Sequence, residues 1–320
     1  MEAAKKLSIV VPVYNEGDVL QAFQHRLVTV LDQCDHPYEI LYVDDGSDLE
    51  CQQRLQSLRD AHPSVALLQL SRNFGKEVAV SAGLEHASGD AVIVIDADLQ
   101  DPPELIPEFL RQWQAGYDVV YGQRSERRGD TALKRLSAAA FYRILDALTT
   151  FKIPPDVGDF RLLSRRAVDA VTSLPERHRY MKGLYAWIGF PQVGVPYVRE
   201  PRASGRSSWN YWRLWNFALE GITSFSDAPL RISTYLGLLV SSLAFLYGLF
   251  MIVRTLIWGN PVPGYPSLLV VILFLGGVQL VCLGIIGEYL SRTYHESKGR
   301  ALYFTRAYHP ARSHAHGDDD

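Results

Sequence analysis

The triplet Asp96-Ala97-Asp98 ends the apolar run that opens the stretch Ala91–Pro103, AVIVIDADLQDPP, and is the part of the chain best equipped for chemistry. Five apolar, mostly β-branched residues lead into it and read as a strand buried on both faces. Two carboxylates spaced i, i+2 at a strand end point the same way. They suit a hard divalent cation that keeps open positions for phosphate oxygens. Gln100 continues the two-residue register as a third oxygen donor, and Pro102-Pro103 end the extended segment ahead of a helix from about Glu104. The plain alternative, an Asp-x-Asp pair that merely solvates a strand end, is decided by what surrounds the motif.

The surroundings alternate strand and helix. Strands are expected at Leu7–Val13, Tyr38–Val43, Val65–Leu70, Ala91–Ile95 and Asp118–Tyr121, and helices at Val19–Gln33, Gln52–Ala61, Lys76–Ala87 and Glu104–Ala115. This is the pattern of a Rossmann-like α/β domain with a mostly parallel sheet covered on both faces, whose site lies beyond the carboxyl ends of the strands. Polar segments follow four of the strands: Pro12 to Glu16, Asp44 to Ser47, Ser71 to Lys76, and Asp96 to Asp98. No GxGxxG or GxxxxGK[ST] motif is present, since Gly75-Lys76 runs into Glu77. The rim is acidic instead, with Glu16, Asp44, Asp45, Asp96, Asp98 and Asp101. Such a rim needs a metal to hold a nucleotide phosphate, and its carboxylates can accept hydrogen bonds from a base or ribose.

With 320 residues, 48% of them hydrophobic, and a net charge of -3, the chain can bury a full core and carry an appendage, and bulk charge argues against nucleic acid. Cys34, Cys51 and Cys282 are far apart and read as reduced. The His-containing tail ending in three Asp is expected to be disordered.

The appendage is a membrane anchor. Trp209 to Phe225 interleaves Trp209, Tyr211, Trp212, Trp215 and Phe217 with charge, as an amphipathic helix in the headgroup zone does. Thr234–Val253 and Pro266–Ile286 are then long enough to span a bilayer as a helical hairpin. Arg199, Arg202, Arg206, Arg213 and Arg231 precede the first span, and Arg292, Lys298, Arg300 and Arg306 follow the second, whereas the connecting loop has Arg254 alone. The positive-inside rule puts the catalytic domain and the tail in the cytoplasm. Met1 to Lys6 leads straight into a strand and does not read as a leader. Gly237, Gly248, Gly276, Gly277, Gly284 and Gly287 permit close helix contacts, between subunits or within the hairpin.

Taken in order, PVYNE, DDGS, SRNFGK, DADLQDPP, the GQR of Gly122 to Arg124 and the GDFRLLSR of Gly158 to Arg165 resemble the family-two inverting glycosyltransferases with a GT-A fold. More narrowly they resemble the polyprenyl-phosphate glycosyltransferases, a group that holds dolichol-phosphate mannose synthase and bacterial bactoprenol glucosyltransferases. The resemblance implies that Pro12, Tyr14, Glu16 and Asp45 hold the nucleotide, with Asp44, Gly75, Lys76, Asp96 and Ala97 in the same motifs. It implies that Asp96, Asp98 and Gln100 bind Mg²⁺ or Mn²⁺, that Arg124 faces the phosphates and that Asp159 sits beside the reacting sugar. Arg127, Arg128, Lys134 and Arg135, at the start of a helix Thr131–Leu148, become candidate receivers of the acceptor phosphate, as do Arg202 and Arg206; a solvated face is their plain alternative. Where the family usually shows GxSK, this chain reads Gly205-Arg206-Ser207-Ser208, so Arg206 takes over the role of the missing Lys.

The implied reaction is transfer of a sugar to a membrane polyprenyl phosphate such as undecaprenyl phosphate, at a bacterial inner membrane. UDP-glucose is the favoured donor, with GDP-mannose, UDP-N-acetylglucosamine and a UDP-aminoarabinose derivative as alternatives. A processive polysaccharide synthase and a non-catalytic membrane scaffold are the competing classes; two spans are too few for a translocation pore, no QxxRW motif is present, and the complete acidic set speaks against the scaffold. The expected division is a catalytic domain over 1–205, interfacial helices over 206–230, two spans over 231–291 and a tail over 292–320. A homo-oligomer is expected, a tetramer being the state considered, with Ala301–Tyr308 as a strand that pairs with a neighbouring subunit.

Overall fold

The structure, a computed structural model, describes residues 5–124, 157–177, 179–198, 226–259 and 264–312. Strand β1 (Leu7–Val13) is buried at all seven positions, so both its faces must be covered. After it come α1 (Gly17–Leu31), β2 (Tyr38–Asp44), α2 (Leu49–Ala61), β3 (Val65–Leu70), α3 (Lys76–His86), β4 (Ala91–Val94), a 3-10 turn (Pro103–Leu105), α4 (Ile106–Gln114) and β5 (Val119–Arg124). Beyond residue 156 lie β6 (Val157–Ser164), α5 (Arg165–Ser173), α6 (Met181–Trp187), β7 (Gln192–Tyr197), α7 (Ala228–Trp258), α8 (Tyr265–Ser297) and β8 (Thr305–His309).

These strands form one sheet in the order β7-β5-β6-β4-β1-β2-β3-β8. The block β4-β1-β2-β3 is parallel, as the alternating pattern predicts. Strand β6 runs antiparallel between β4 and β5, and β7 is parallel to β5. Neither β6 nor β7 was expected as a strand. Pairing with β7 also carries β5 on to Arg124, three residues past its expected end at Tyr121.

Side chains of β1 alternate between two cores. Ile9 and Val11 pack with Phe23 and Leu27 of α1 and Phe109 of α4. Val10 faces the other way, with Ala79, Val80 and Leu84 of α3 and Val168 of α5. Helix α3 lies very close to the sheet because residue 83 is glycine: a Cβ there would stand 2.3 Å from Val10 Cγ1. That approach sets the start of α3 at the carboxyl rim.

Helices α7 and α8, of 31 and 33 residues, are about 46 and 50 Å long and contain both expected spans. Both are long and apolar enough to cross a membrane, and Leu239, Phe245, Leu273 and Leu280 are exposed, as on a lipid-facing surface. They outrun the apolar segments, and one polar end of each carries an i,i+4 ion pair, Arg231 with Asp227 at 2.8 Å and Arg292 with Glu288 at 3.1 Å. A Cβ on any of Gly237, Gly248, Gly276, Gly277, Gly284 or Gly287 would meet nothing within 4 Å, so the hairpin does not close through them. The base of the hairpin is tied back, since the Tyr289 hydroxyl donates to the Ser226 carbonyl at 2.5 Å and the Arg177 amide donates to Glu296 at 2.9 Å.

The C-terminal segment forms a strand, but within its own chain. Strand β8 pairs antiparallel with β3, whose free edge would otherwise present unpaired backbone groups, where pairing with a neighbouring subunit had been expected. Tyr303 donates to Glu85 at 2.6 Å, the ring of Tyr308 lies 5.0 Å from that of His86, and the Arg312 amide donates to the Pro63 carbonyl at 2.8 Å. The interfacial helix expected at Trp209–Phe225 and the helix expected at Thr131–Leu148 lie outside the described residues.

Candidate active site

The four polar segments after β1, β2, β3 and β4 converge on one rim, and backbone turns fix them there. Asp44, the last residue of β2, accepts the Ser47 amide at 2.9 Å. Asn15 adopts the left-handed conformation, φ 55°, and its side-chain oxygen accepts the Asp48 amide at 2.8 Å. Asp45 accepts the amides of Phe74 at 2.7 Å and Gly75 at 2.9 Å, which clamps the loop ahead of α3. The clamp can close because Gly46 has φ +72°, and a Cβ there would stand 2.5 Å from the backbone of Arg72 and Asn73. Burial raises the Asp45 carboxyl above its ordinary range even though the two amides work to lower it.

After β4 the chain turns. The two-residue register expected to run through Gln100 breaks at Leu99, whose φ of 60° is unusual for a branched side chain. The Gln100 amide donates to Asp98 Oδ1 at 3.0 Å, an Asx-type turn that replaces the extended path. Gln100 therefore stays beside Asp98 by turning, not by strand alternation.

Across the rim, β6 enters where its parallel neighbours leave. Register pairs Val94 with Arg161, and two residues further this brings Asp159 to Asp96. Lys76, the first residue of α3, spans them: its Nζ lies 2.6 Å from Asp96 Oδ2 and 2.5 Å from Asp159 Oδ2. Burial opposes ionisation of Asp159, but the Lys76 ammonium, with Lys182 and Arg161 nearby, overrides it and holds this carboxyl well below the usual range. Asp96 is pushed up, by burial first and by the charge of Asp159, with Lys76 opposing. Lys76 is driven well above its ordinary value because the two carboxylates outweigh burial.

Around this trio stand groups that had no place in the expected site. Burial and the charge of Asp159 push Glu77 up to about 7, and Glu77 also accepts the Met181 amide. Arg161 donates to the Gly158 carbonyl at 2.8 Å, and its guanidinium lies 3.9 Å over the Tyr185 ring. Glu77 adjoins the SRNFGK motif and Arg161 lies inside GDFRLLSR, whereas Lys182 and Tyr185 arrive on a helix a hundred residues from Lys76 and carry no local signal.

Arg124 stands at the end of β5, on the same rim. Its guanidinium is hydrogen-bonded to Tyr197, whose hydroxyl donates to the buried Asp101. The Arg124 Nε is buried without a hydrogen-bond partner among the described residues. A Cβ on Gly158 would stand 3.1 Å from Arg124 Nη2, so the guanidinium packs close against this glycine.

Of the other expected residues, Tyr14 is half exposed at the rim, whereas Pro12 is buried inside β1 opposite Val43, and Ala97 is fully buried. Gly75 holds φ 100° just ahead of α3. Arg127, Arg128, Lys134, Arg135, Arg202 and Arg206 lie outside the described residues. Asp96 and Asp98 offer hard oxygen donors, and among the described residues no three His, Cys, Asp or Glu side chains gather into a cage. That set fits an ion that takes one or two carboxylates from protein and the rest of its oxygens from phosphate and water, as Mg²⁺ does. Asp159 Oδ1, buried and without a hydrogen-bond partner among the described residues, leaves further acceptor capacity beside it.

Residues 8–172 match the model for glycosyl transferase family 2, and residues 228–293 match the GtrB C-terminal hairpin. An uncharacterized glycosyltransferase of Synechocystis is 52% identical over 93% of this chain and 94% of its own length. The bactoprenol glucosyl transferase of Shigella phage SfV is 50% identical over 94% of this chain and 98% of its own. Among solved structures, a mannosyltransferase of Pyrobaculum calidifontis in complex with GDP-Man and Mn²⁺ is similar over 90% of this chain and 88% of its own, at 15% identity and a TM-score of 0.46. Glucosyl-3-phosphoglycerate synthase of Mycobacterium tuberculosis with Mn²⁺, UDP-glucose and phosphoglyceric acid is similar over 69% of this chain and 79% of its own, at 18% identity and a TM-score of 0.48. An α/β sheet with an acidic rim over two membrane-length helices thus coincides with a family match across half of the sequence, and the chain belongs to glycosyl transferase family 2, as a glycosyltransferase with a GT-A fold and the GtrB-type hairpin.

Proposed function

We propose that this glycosyltransferase moves a sugar from a nucleotide donor, UDP-glucose foremost, to a polyprenyl phosphate held in the bilayer, with inversion at the anomeric carbon. The observation that carries the reading is the meeting of Asp96 and Asp159 on Lys76 Nζ, a charged constellation at the rim of a domain that is itself tied to the hairpin through Arg177 and Glu296. The reading is supported by the phage relative, which is named for bactoprenol and a glucosyl group and matches 94% of this chain over 98% of its own length. In this reading Tyr14, Glu16 and Asp45 receive the nucleotide, and Arg124 receives the diphosphate. Asp96, Asp98 and Gln100 hold a divalent ion, Mg²⁺ or Mn²⁺, which when bound stabilises the charge of the departing nucleotide.

A phosphate monoester has a second pKa of about 6, so the acceptor is already a nucleophile at neutral pH. Asp159, held ionised by Lys76, is a poor base and instead favours positive charge at the anomeric carbon or orients the acceptor. Arg127, Arg128, Lys134, Arg135, Arg202 and Arg206 are assigned to the acceptor phosphate. The catalytic domain (1–205) and the tail (292–320) face the cytoplasm of a bacterial inner membrane, with interfacial helices over 206–230, spans within 231–291 and a homo-oligomeric assembly.

The test is to incubate detergent-purified protein with radiolabelled UDP-glucose, Mg²⁺ and undecaprenyl phosphate and extract into organic solvent. Label is expected in the organic phase and is lost with EDTA or with Asp98→Ala. Lipid label only from GDP-mannose or UDP-N-acetylglucosamine would overturn the glucose assignment, and no lipid label from any donor would overturn the acceptor.

A further inference from the structure

We propose that Lys76 is the protein's internal counter-cation: its ammonium neutralises Asp96 and Asp159 while the donor is away, and it yields Asp96 to the divalent ion when that ion enters with a nucleotide diphosphate. The proposal rests on the reading that Asp96 and Asp98 take the ion.

Lys76 Nζ touches one oxygen of each carboxylate, 2.6 Å from Asp96 and 2.5 Å from Asp159, so one positive charge serves both. Without it the two acids would face one another, with Asp98 two residues along, and like charges at that range repel strongly. The root of the side chain is fixed, because Asp45 clamps the Phe74 and Gly75 amides immediately before it. The stem is not: the Lys76 side chain is 43% exposed, so its four-carbon stem can swing without repacking the core.

Two consequences follow from charge alone. A divalent ion arriving without nucleotide meets a site already partly neutralised and must compete with an ammonium for Asp96. An ion arriving with a diphosphate brings a new anionic partner for Lys76, so the ammonium moves to phosphate and the carboxylate is released. Lys76 thereby couples metal binding to nucleotide binding, and such couplings typically amount to about 5- to 150-fold.

The experiment is Mn²⁺ binding to the full chain in detergent, read from the electron paramagnetic resonance signal of free Mn²⁺, with and without UDP, and needs no turnover. Wild type is expected to bind Mn²⁺ weakly alone and more tightly with UDP. Lys76→Met is expected to bind Mn²⁺ about tenfold tighter without UDP and to gain less from UDP, while Lys76→Arg follows wild type. Lys76→Gln carries the same expectation as Lys76→Met if the methionine variant lacks a cooperative melt. Unchanged or weaker Mn²⁺ binding by the folded neutral variants would overturn the proposal. Asp98→Ala separates the two readings: if it binds Mn²⁺ like wild type, the metal assignment fails, and if it loses Mn²⁺ while Lys76→Met shows no tightening, only the role of Lys76 fails.

Discussion

Asp159 owes its position to an antiparallel strand and its charge to a lysine. Because Lys76, Lys182 and Arg161 keep it ionised despite burial, its contribution at neutral pH is negative charge and not proton uptake. Asp159→Asn preserves shape and removes that charge. It is expected to slow sugar transfer by about 10²- to 10³-fold in a protein that still melts cooperatively, measured by the lipid-extraction assay beside a thermal melt. Retained activity would reassign the residue to structure. Asp159 was legible in the sequence only through the GDFRLLSR motif. Its contact with Lys76 was not, because 83 residues separate them and only the packing of α3 beside the β4–β6 pair joins them.

At the scale of elements, two joints hold β1 in place. At its amino end, buried Glu39 of β2 accepts from Lys6 at 2.8 Å, from Ser8 at 2.5 Å and from the Ser88 amide at 2.9 Å. Burial would raise this carboxyl, but these donors outweigh it and hold it below its ordinary 4.5. A folded value below the unfolded one means that the stabilisation is present above about pH 4.5 and is lost as pH falls through the folded value. The melting temperature of wild type should therefore fall more steeply on acidification below about pH 4.5 than that of Glu39→Gln, which cannot titrate. Parallel acid profiles would remove Glu39 from the acid response. The second joint is Gly83, where Gly83→Ala drives a Cβ to 2.3 Å from Val10 Cγ1. Such overpacking should cost about 1–3 kcal/mol and lower the thermal midpoint, and it should weaken catalysis as well, because α3 carries Lys76. An unshifted melt would show that the helix can retreat without cost.

For the whole molecule, the chain closes on itself. From the end of α8 it returns past Tyr303 and lays β8 on the outer edge of β3, so the hairpin and the catalytic sheet are joined at the carboxyl end of α8, through Glu296 in its last turn and through β8 beyond it. Truncation after Arg300 removes β8 and exposes the β3 edge, a template for strand pairing between molecules. Larger species in light scattering and a lower thermal midpoint are expected, and a truncated protein that stays at the wild-type size and midpoint would show that β8 is dispensable.

The parallel block, its helices and the two long apolar segments were determined by sequence alone, because hydrophobic periodicity is local and each segment carries its own. So was the acidic rim, since parallel strands of one sheet put their carboxyl ends on the same side wherever they pair. What only the tertiary structure decided is who meets whom there. The insertion of β6 between β4 and β5 brings Asp159 to Asp96, the turn at Leu99 folds Gln100 back to Asp98, and the missing Cβ of Gly83 lets α3, which begins with Lys76, pack close on the sheet. Strand order and close approach act across tens of residues, and the turn at Leu99 depends on a backbone dihedral; hydrophobic periodicity, which reads only the spacing of apolar neighbours, encodes none of them.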